Sequence, residues 1–287
     1  MTLVSLKEIL IKARQGKYAV GSFNIMDLQS LRAVIKAADE ENSPVIVAFG
    51  EAHKKYMPFD IIFPLMARLA KRATIPVAVL LDHGKSFEAN VTAIKYGATG
   101  VMYDGSDLPF DLNIKHTSEV VKVAHSVGVS VEAELGHVAM EEGNPDRSGA
   151  ETEEPIYTNP EDVETFVEQT GVDALAVSIG TSHGVCLEAP KLDFERLNEI
   201  NSISPVPLVL HGGSGVTDDD FRNCVRNGIT KINYFSNISN FVAESLKKKL
   251  NEIKGKVYYQ DSSPLSFEFF KEAVKERMRV FSSNNKA

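Results

Sequence analysis

Eight short, mostly apolar runs, each followed by a stretch long enough for a helix, constrain this chain more than any other feature of its sequence. The runs are AVGSFNI (19–25), PVIVAFG (44–50), PVAVLLDH (76–83), TGVMYDG (99–105), VSVEAELG (129–136), DALAVSIG (173–180), VPLVLHGG (206–213) and ITKINYF (229–235). Most are continuously apolar, as strands buried on both faces must be. Between them lie helical segments at Leu28 to Glu41, Pro58 to Ala73, Glu88 to Tyr96, Leu112 to Ser126, Pro160 to Thr170, Phe194 to Ile203 and Asp218 to Asn227. Strand–helix alternation repeated eight times predicts an α/β fold of the TIM (β/α)8 barrel type, with an open doubly wound sheet as the alternative. Such barrels typically run to roughly 250 residues, so a single barrel domain over residues 1–287 accommodates the whole chain.

Two more helical segments, about Asn237 to Ile253 and Pro264 to Phe281, follow the eighth run, so extra C-terminal helices are expected from about residue 237. The last of them is expected to end the fold or to reach a neighbouring subunit. One segment breaks the rhythm. Residues 139–155, AMEEGNPDRSGAETEEP, are rich in Glu, Gly and Pro and have no hydrophobic period. A long connection of this kind is either a functional lid or disordered, and it is expected to be a mobile loop.

A formal net charge of −8 argues against nucleic acid or an anionic membrane as the main partner, so an anionic substrate needs a local site. The N-terminal MTLVSLKEILIKARQG carries charges inside its apolar pattern and reads as an amphipathic helix rather than a signal peptide. No apolar run approaches the length of a membrane span. Cys186 and Cys224 are too few for a disulfide framework, which suits a reduced, cytoplasmic setting.

In a barrel of this type the active site lies at the C-terminal ends of the strands, and nearly every run ends in a polar residue: Asn24, Asp82-His83, Asp104, Glu132 and Glu134, His183, His211 and Asn233. Three imidazoles on one rim, His83, His183 and His211, match a catalytic zinc site that keeps a coordination position open. His53, His116 and His125 fall in helices or loops and read as surface residues. Asp82 suits a general acid/base, with a partner that orients a zinc histidine as the alternative. Asp104 and Glu134 suit either a second or alternate metal position, or caps and ion pairs. His211 opens HGGSG, where backbone N–H groups of Gly212, Gly213 and Ser214 can close on a phosphate beside Asn233 to Ser236; a tight turn needed only for geometry is the alternative.

With these residues in place, the chain resembles the class II, zinc-dependent fructose-bisphosphate and tagatose-bisphosphate aldolases. GSFNI, SPVIVAFG, PVAVLLDHG, GVMYDGS, VSVEAELG, LAVSIGTSHG, PLVLHGGSG and GITKIN look like that family's segments, in order and over almost the full length. The resemblance implies one catalytic Zn2+ on His83, His183 and His211, with Asp104 and Glu134 as alternate ligands and Asp82 as acid/base. It implies that Gly184, Gly212, Gly213 and Ser214, with the segment Asn233, Tyr234, Phe235 and Ser236, bind the dihydroxyacetone-phosphate half of a sugar phosphate, and that Asn24 lines the substrate site. Glu142 matches a loop glutamate that moves a proton at substrate C3, and Arg277 a C-terminal arginine that reaches a second phosphate across a dimer interface. A homodimer or homotetramer and a monovalent cation follow from the same resemblance. Departures bear on the substrate: FNIMD stands where relatives often have FNINN, and Asn-Tyr-Phe-Ser follows the eighth run. The ELGHV segment resembles a less characterised sugar-phosphate aldolase branch. The rival readings are a Schiff-base aldolase using Lys231 and a non-catalytic sugar-phosphate-binding barrel.

Overall fold

The computed structural model describes residues 2–138, 156–182, 190–213 and 215–287. The eight runs form eight parallel strands: β1 (Val20–Asn24), β2 (Val45–Gly50), β3 (Val77–Gly84), β4 (Gly100–Tyr103), β5 (Ser130–Leu135), β6 (Ala174–Val177), β7 (Leu208–Leu210) and β8 (Ile229–Asn233). Each pairs with its neighbours in sequence and β8 pairs back onto β1, so the sheet is a closed barrel and the doubly wound alternative is excluded. Most strands are shorter than the runs that announced them. The sixth run pairs only over Ala174–Val177, because its polar tail leaves the ladder to form the rim.

Around the strands lie α1 (Leu6–Gly16), α2 (Leu28–Glu41), α3 (Phe59–Ala70), α4 (Phe87–Lys95), α5 (Phe110–Ser126), α6 (Pro160–Thr170), α7 (Phe194–Ile203), α8 (Asp218–Arg226), α9 (Ser236–Glu252) and α10 (Tyr259–Val280). Alternate strand residues face opposite sides of the sheet, and the hydrophobic interior divides accordingly. Val45, Val47 and Phe49, with Val77, Val79 and Leu81, join the layer between sheet and helices. Ile46, Ala48, Ala78, Leu80, Ala174, Ala176 and Val209 fill the barrel interior, where they meet Leu6, Ile9, Leu10 and Ala13 of α1. Helix α1 is capped by Ser5, whose hydroxyl accepts from the Glu8 N–H, and ends at Lys17 in the left-handed conformation. It closes the N-terminal mouth, with the Lys7 ammonium 3.0 Å from Asp173 just ahead of β6. Above this apolar floor the buried inward positions turn polar: Asn24, Asp82, Glu132, Glu134, Lys231 and Asn233.

The C-terminal helices correspond to the two expected segments, but α10 begins earlier than Pro264. Asp261 accepts from the Tyr258 N–H at 2.8 Å and caps the helix, which leaves Pro264 in the second turn. Helix α10 lies on α2, tied by Lys275 to Glu40 at 2.9 Å and by Arg279 to Glu41 at 2.6 Å. The chain end continues that contact through the Asn285 N–H on the Glu41 carbonyl. His53 is a correction to the surface reading. A 3-10 turn at Glu51–Lys55 folds its ring inward, and it is only 3% exposed. Among the described residues no helix is long and apolar enough to cross a membrane. The segment 139–155 expected as a loop lies outside the described residues.

If α1 is a structural floor, Leu10→Ala lowers stability by about 2–5 kcal/mol, the usual range for emptying a buried leucine site. Denaturant unfolding of the variant checks this, and a midpoint equal to the parent's contradicts the role given to α1.

Candidate active site

Asp82 is the last inward residue of β3 and stands in register with Gly50 of β2. Its carboxylate is fully buried and held from both sides: the Asn24 amide donates to Oδ2 at 2.9 Å and the Asn233 amide to Oδ1 at 2.9 Å. Burial alone pushes this carboxyl up. The charges of His83, His211 and Lys231 and the Asn24 donor outweigh it and hold Asp82 below the usual carboxylate range.

His83 follows immediately and by strand alternation starts on the other face. It has φ +46, and the β3–β4 register shifts between Leu81 and Gly84. A non-glycine residue held in this region stores about 1–3 kcal/mol of strain, a feature that clusters at functional sites. The left-handed turn brings the imidazole into the same cluster as Asp82.

The two described histidines of the rim are arranged alike. His83 Nδ1 lies 2.8 Å from Asp104 Oδ2 and His211 Nε2 lies 2.9 Å from Glu132 Oε1. The remaining nitrogens, His83 Nε2 and His211 Nδ1, face each other at 3.0 Å. Burial lowers the His83 pKa, but Asp82, Asp104 and Glu134 outweigh it and raise the ring to about 10. Burial lowers His211 below its ordinary value despite its bond to Glu132. The Asn233 amide also lies 3.2 Å from His211 Nδ1. Freed of protons, His83 Nε2 and His211 Nδ1 would offer their lone pairs to one ion. Two nitrogens on one tetrahedral zinc, each at about 2.0–2.1 Å, stand roughly 3.3 Å apart, close to the spacing here. An imidazole with one nitrogen on a carboxylate and the other on a metal is a recurrent ligand arrangement. Ligand atoms of Asp82, His83 and His211 lie within 4.8 Å of one another, as do those of His83, Asp104 and Glu134.

The carboxylates behind the rings are themselves supported. Asp104 also takes the Lys85 ammonium at 3.0 Å and the Ser106 hydroxyl at 2.7 Å. Glu132 takes the Lys231 ammonium at 2.9 Å, with both side chains fully buried. Glu134 is pushed up to about 8 by burial and by the charge of Asp104. Lys85, and Lys231 as a counter-charge, are absent from the rim read off the sequence. The period-2 pairing of Lys231 with Val209 and Val20 is the signal that places it inside the barrel.

Buried polar atoms without a partner among the described residues concentrate at this end of the barrel. They include Asn24 Oδ1, Asn233 Oδ1, Glu132 Oε2, Glu134 Oε2 and Thr181 Oγ1. Buried groups normally find partners, so such a concentration marks a place completed by a ligand or an ion. Beside it, Gly212 has φ +68, and a Cβ there would stand 2.7 Å from the Ser182 backbone. The glycine is required by this close approach of the strand-six and strand-seven ends. A Cβ on Gly213 would lie 3.0 Å from the Asn233 carbonyl, so the turn also abuts the end of β8. There Ser236 opens α9, whose preceding residue Phe235 provides no side-chain cap.

Tyr234 and Arg277 stand apart from this cluster. Tyr234 points outward and packs on Phe221 and Phe281 at 5.7 and 6.2 Å. Arg277 is buried over the Tyr234 ring and engages Asp218 at 2.6 Å and Glu276 at 3.0 Å within its own chain. Phe235 faces His53, with ring centroids 5.3 Å apart. His183, Gly184, Ser214 and Glu142 lie outside the described residues.

Comparison with known proteins gives the cluster a family. The model of "Fructose-bisphosphate aldolase class-II" matches residues 4–286. A fructose-bisphosphate aldolase of Staphylococcus aureus is 40% identical over 290 residues, covering 100% of both chains. A probable fructose-bisphosphate aldolase of Bacillus subtilis is 39% identical over 294 residues, again covering 100% of both. Among solved structures, the YdjI aldolase of Escherichia coli K12 superposes with a TM-score of 0.88 at 33% identity, covering 99% of each chain. On this evidence the chain belongs to the class II fructose-bisphosphate aldolase family and is an aldolase, a lyase.

Proposed function

We propose that this aldolase is zinc-dependent and reversibly cleaves a phosphorylated ketose, of the fructose or tagatose bisphosphate type, to dihydroxyacetone phosphate and an aldehyde. One observation carries the reading: His83 and His211 each rest one nitrogen on a buried carboxylate and turn the other toward a shared point beside Asp82. The donor set fits zinc. His83 and His211 would hold it, together with His183, which the family resemblance supplies, and Asp104 and Glu134 would serve an alternate position. Bound there, zinc supplies positive charge against the negative charge that the ketose develops as its carbon–carbon bond breaks.

The chain's own groups move the protons. In cleavage, Asp82 takes the proton of the C4 hydroxyl while C4 becomes the aldehyde carbonyl and the C3–C4 bond breaks. The electron pair left at C3 takes a proton from Glu142, the residue the resemblance assigns to that step. In synthesis both transfers reverse. Asn24 and Asn233 fix the Asp82 carboxylate by donating to both oxygens, so its reacting lone pair is oriented before substrate arrives. The phosphate of the dihydroxyacetone half is assigned to the backbone of Gly184, Gly212, Gly213 and Ser214 and to the uncapped start of α9 at Ser236, where helix N–H groups favour an anion. The Schiff-base alternative has little support, since the Lys231 ammonium is buried against Glu132 rather than presented to a substrate.

Retro-aldol cleavage of a panel of ketose 1-phosphates and 1,6-bisphosphates tests the reaction. Release of dihydroxyacetone phosphate should vanish on chelation and return with zinc. Cleavage that survives chelation and is trapped on Lys231 by borohydride would instead establish the lysine mechanism. The roles within the cluster separate by substitution. Asp82→Ala should keep its zinc and lose about 100-fold or more in turnover, the scale of a general acid/base contribution, whereas His211→Ala should lose metal and activity together. Normal turnover in the Asp82 variant contradicts its role.

A further inference from the structure

His53 is buried at the end of β2, and its Nδ1 makes no hydrogen bond among the described residues. Its ring is held by aromatic neighbours, Phe49 at 6.0 Å and Phe235 at 5.3 Å between centroids. Gly50 explains its place. Gly50 follows Ile46 and Ala48 as the next inward position of β2 and pairs in register with Asp82, yet brings no side chain. A Cβ built there would lie 3.4 Å from His53 Nδ1. The 3-10 turn therefore returns His53 to the inward space that Gly50 leaves open, next to the strand that carries Asp82. Burial holds the ring below its ordinary pKa, with the nearby charge of Asp82 opposing, so the imidazole is neutral at pH 7. A neutral imidazole offers one N–H and one lone pair, the complement of a hydroxyl.

The direction of the substrate chain follows from the proposed function, on which this inference rests. With the phosphate over the ends of β7 and β8 and the C4 hydroxyl at Asp82 on β3, the carbons beyond C4 leave toward one neighbour of β3. On the β4 side, Lys85 and His83 close on Asp104 at 3.0 and 2.8 Å. On the β2 side stand Asn24 Oδ1 and His53 Nδ1, both buried and unpartnered among the described residues. We infer that His53 is a specificity-determining residue: it receives the hydroxyl on the carbon next beyond the one served by Asp82, so the enzyme selects aldehydes bearing a hydroxyl beside the carbonyl.

Condensation of dihydroxyacetone phosphate with glycolaldehyde and with propanal tests this on the zinc-loaded full chain, because the two aldehydes differ only in a hydroxyl against a methyl. The parent should favour glycolaldehyde in kcat/KM by about tenfold or more, the scale of one buried hydrogen bond. His53→Phe should collapse that ratio. His53→Asn, whose amide reaches the Nδ1 position, should keep most of it, whereas His53→Gln should not. The Asn and Gln contrast stands even if the Phe variant does not fold. A ratio within twofold of the parent's in His53→Phe, or equal ratios in His53→Asn and His53→Gln, overturns the assignment while leaving the aldol reaction intact. If the parent condenses neither aldehyde, the proposed reaction falls and the assignment falls with it.

Discussion

The His83–His211 contact depends on carboxylates held behind it. Glu132 could not remain ionised at the centre of a barrel without compensation, since burying an unpaired charge is strongly unfavourable. Lys231 and His211 supply it, and burial's upward push on Glu132 is outweighed by their charges and bonds. This pairing does two things at once. It anchors His211 through Nε2, and it sets a fixed positive charge beneath Asp82, which helps to keep that carboxylate ionised. Losing either member would leave its partner charged and buried, a change usually unfavourable by about 3–5 kcal/mol.

The rest of the fold isolates this polar cluster from the stable end of the barrel. Apolar layers and α1 seal the N-terminal mouth, while strain and unpartnered polar atoms gather at the C-terminal rim. The left-handed His83 and the close approach of Gly212 to Ser182 both sit on that rim. Strain of this kind persists only where the surroundings over-determine the conformation. Here the surroundings are the buried strands β3 and β7 on either side of the histidine pair.

Much of this was legible in the sequence, because it rests on periodicity. Eight apolar runs predicted the eight strands, and the rule that polar residues at strand ends form the site selected Asp82, His83, Asp104, Glu134, His211 and Asn233 together. Period-2 counting fails where the backbone departs from it. His83 joins the Asp82 cluster only through its positive φ, which no residue count reveals. His53 reads as a surface residue because it falls in a helix or loop, yet a tight turn buries its ring against Phe49. Tyr234 is the opposite case. Alternation from Asn233 places it outward, and grouping the strand-eight tail as one phosphate segment obscured that. Arg277 bonds to Asp218 and Glu276 through the way α8 and α10 meet, which local sequence does not encode.

We propose that these histidines, with His183, hold one catalytic zinc. X-ray absorption at the zinc edge on the stoichiometrically loaded protein tests it directly. Nitrogen and oxygen neighbours only are expected, at about 2.0–2.2 Å, with the outer-shell scattering of imidazole rings. Sulfur neighbours at about 2.3 Å, or a spectrum unchanged when both His83 and His211 are replaced by alanine, would contradict it.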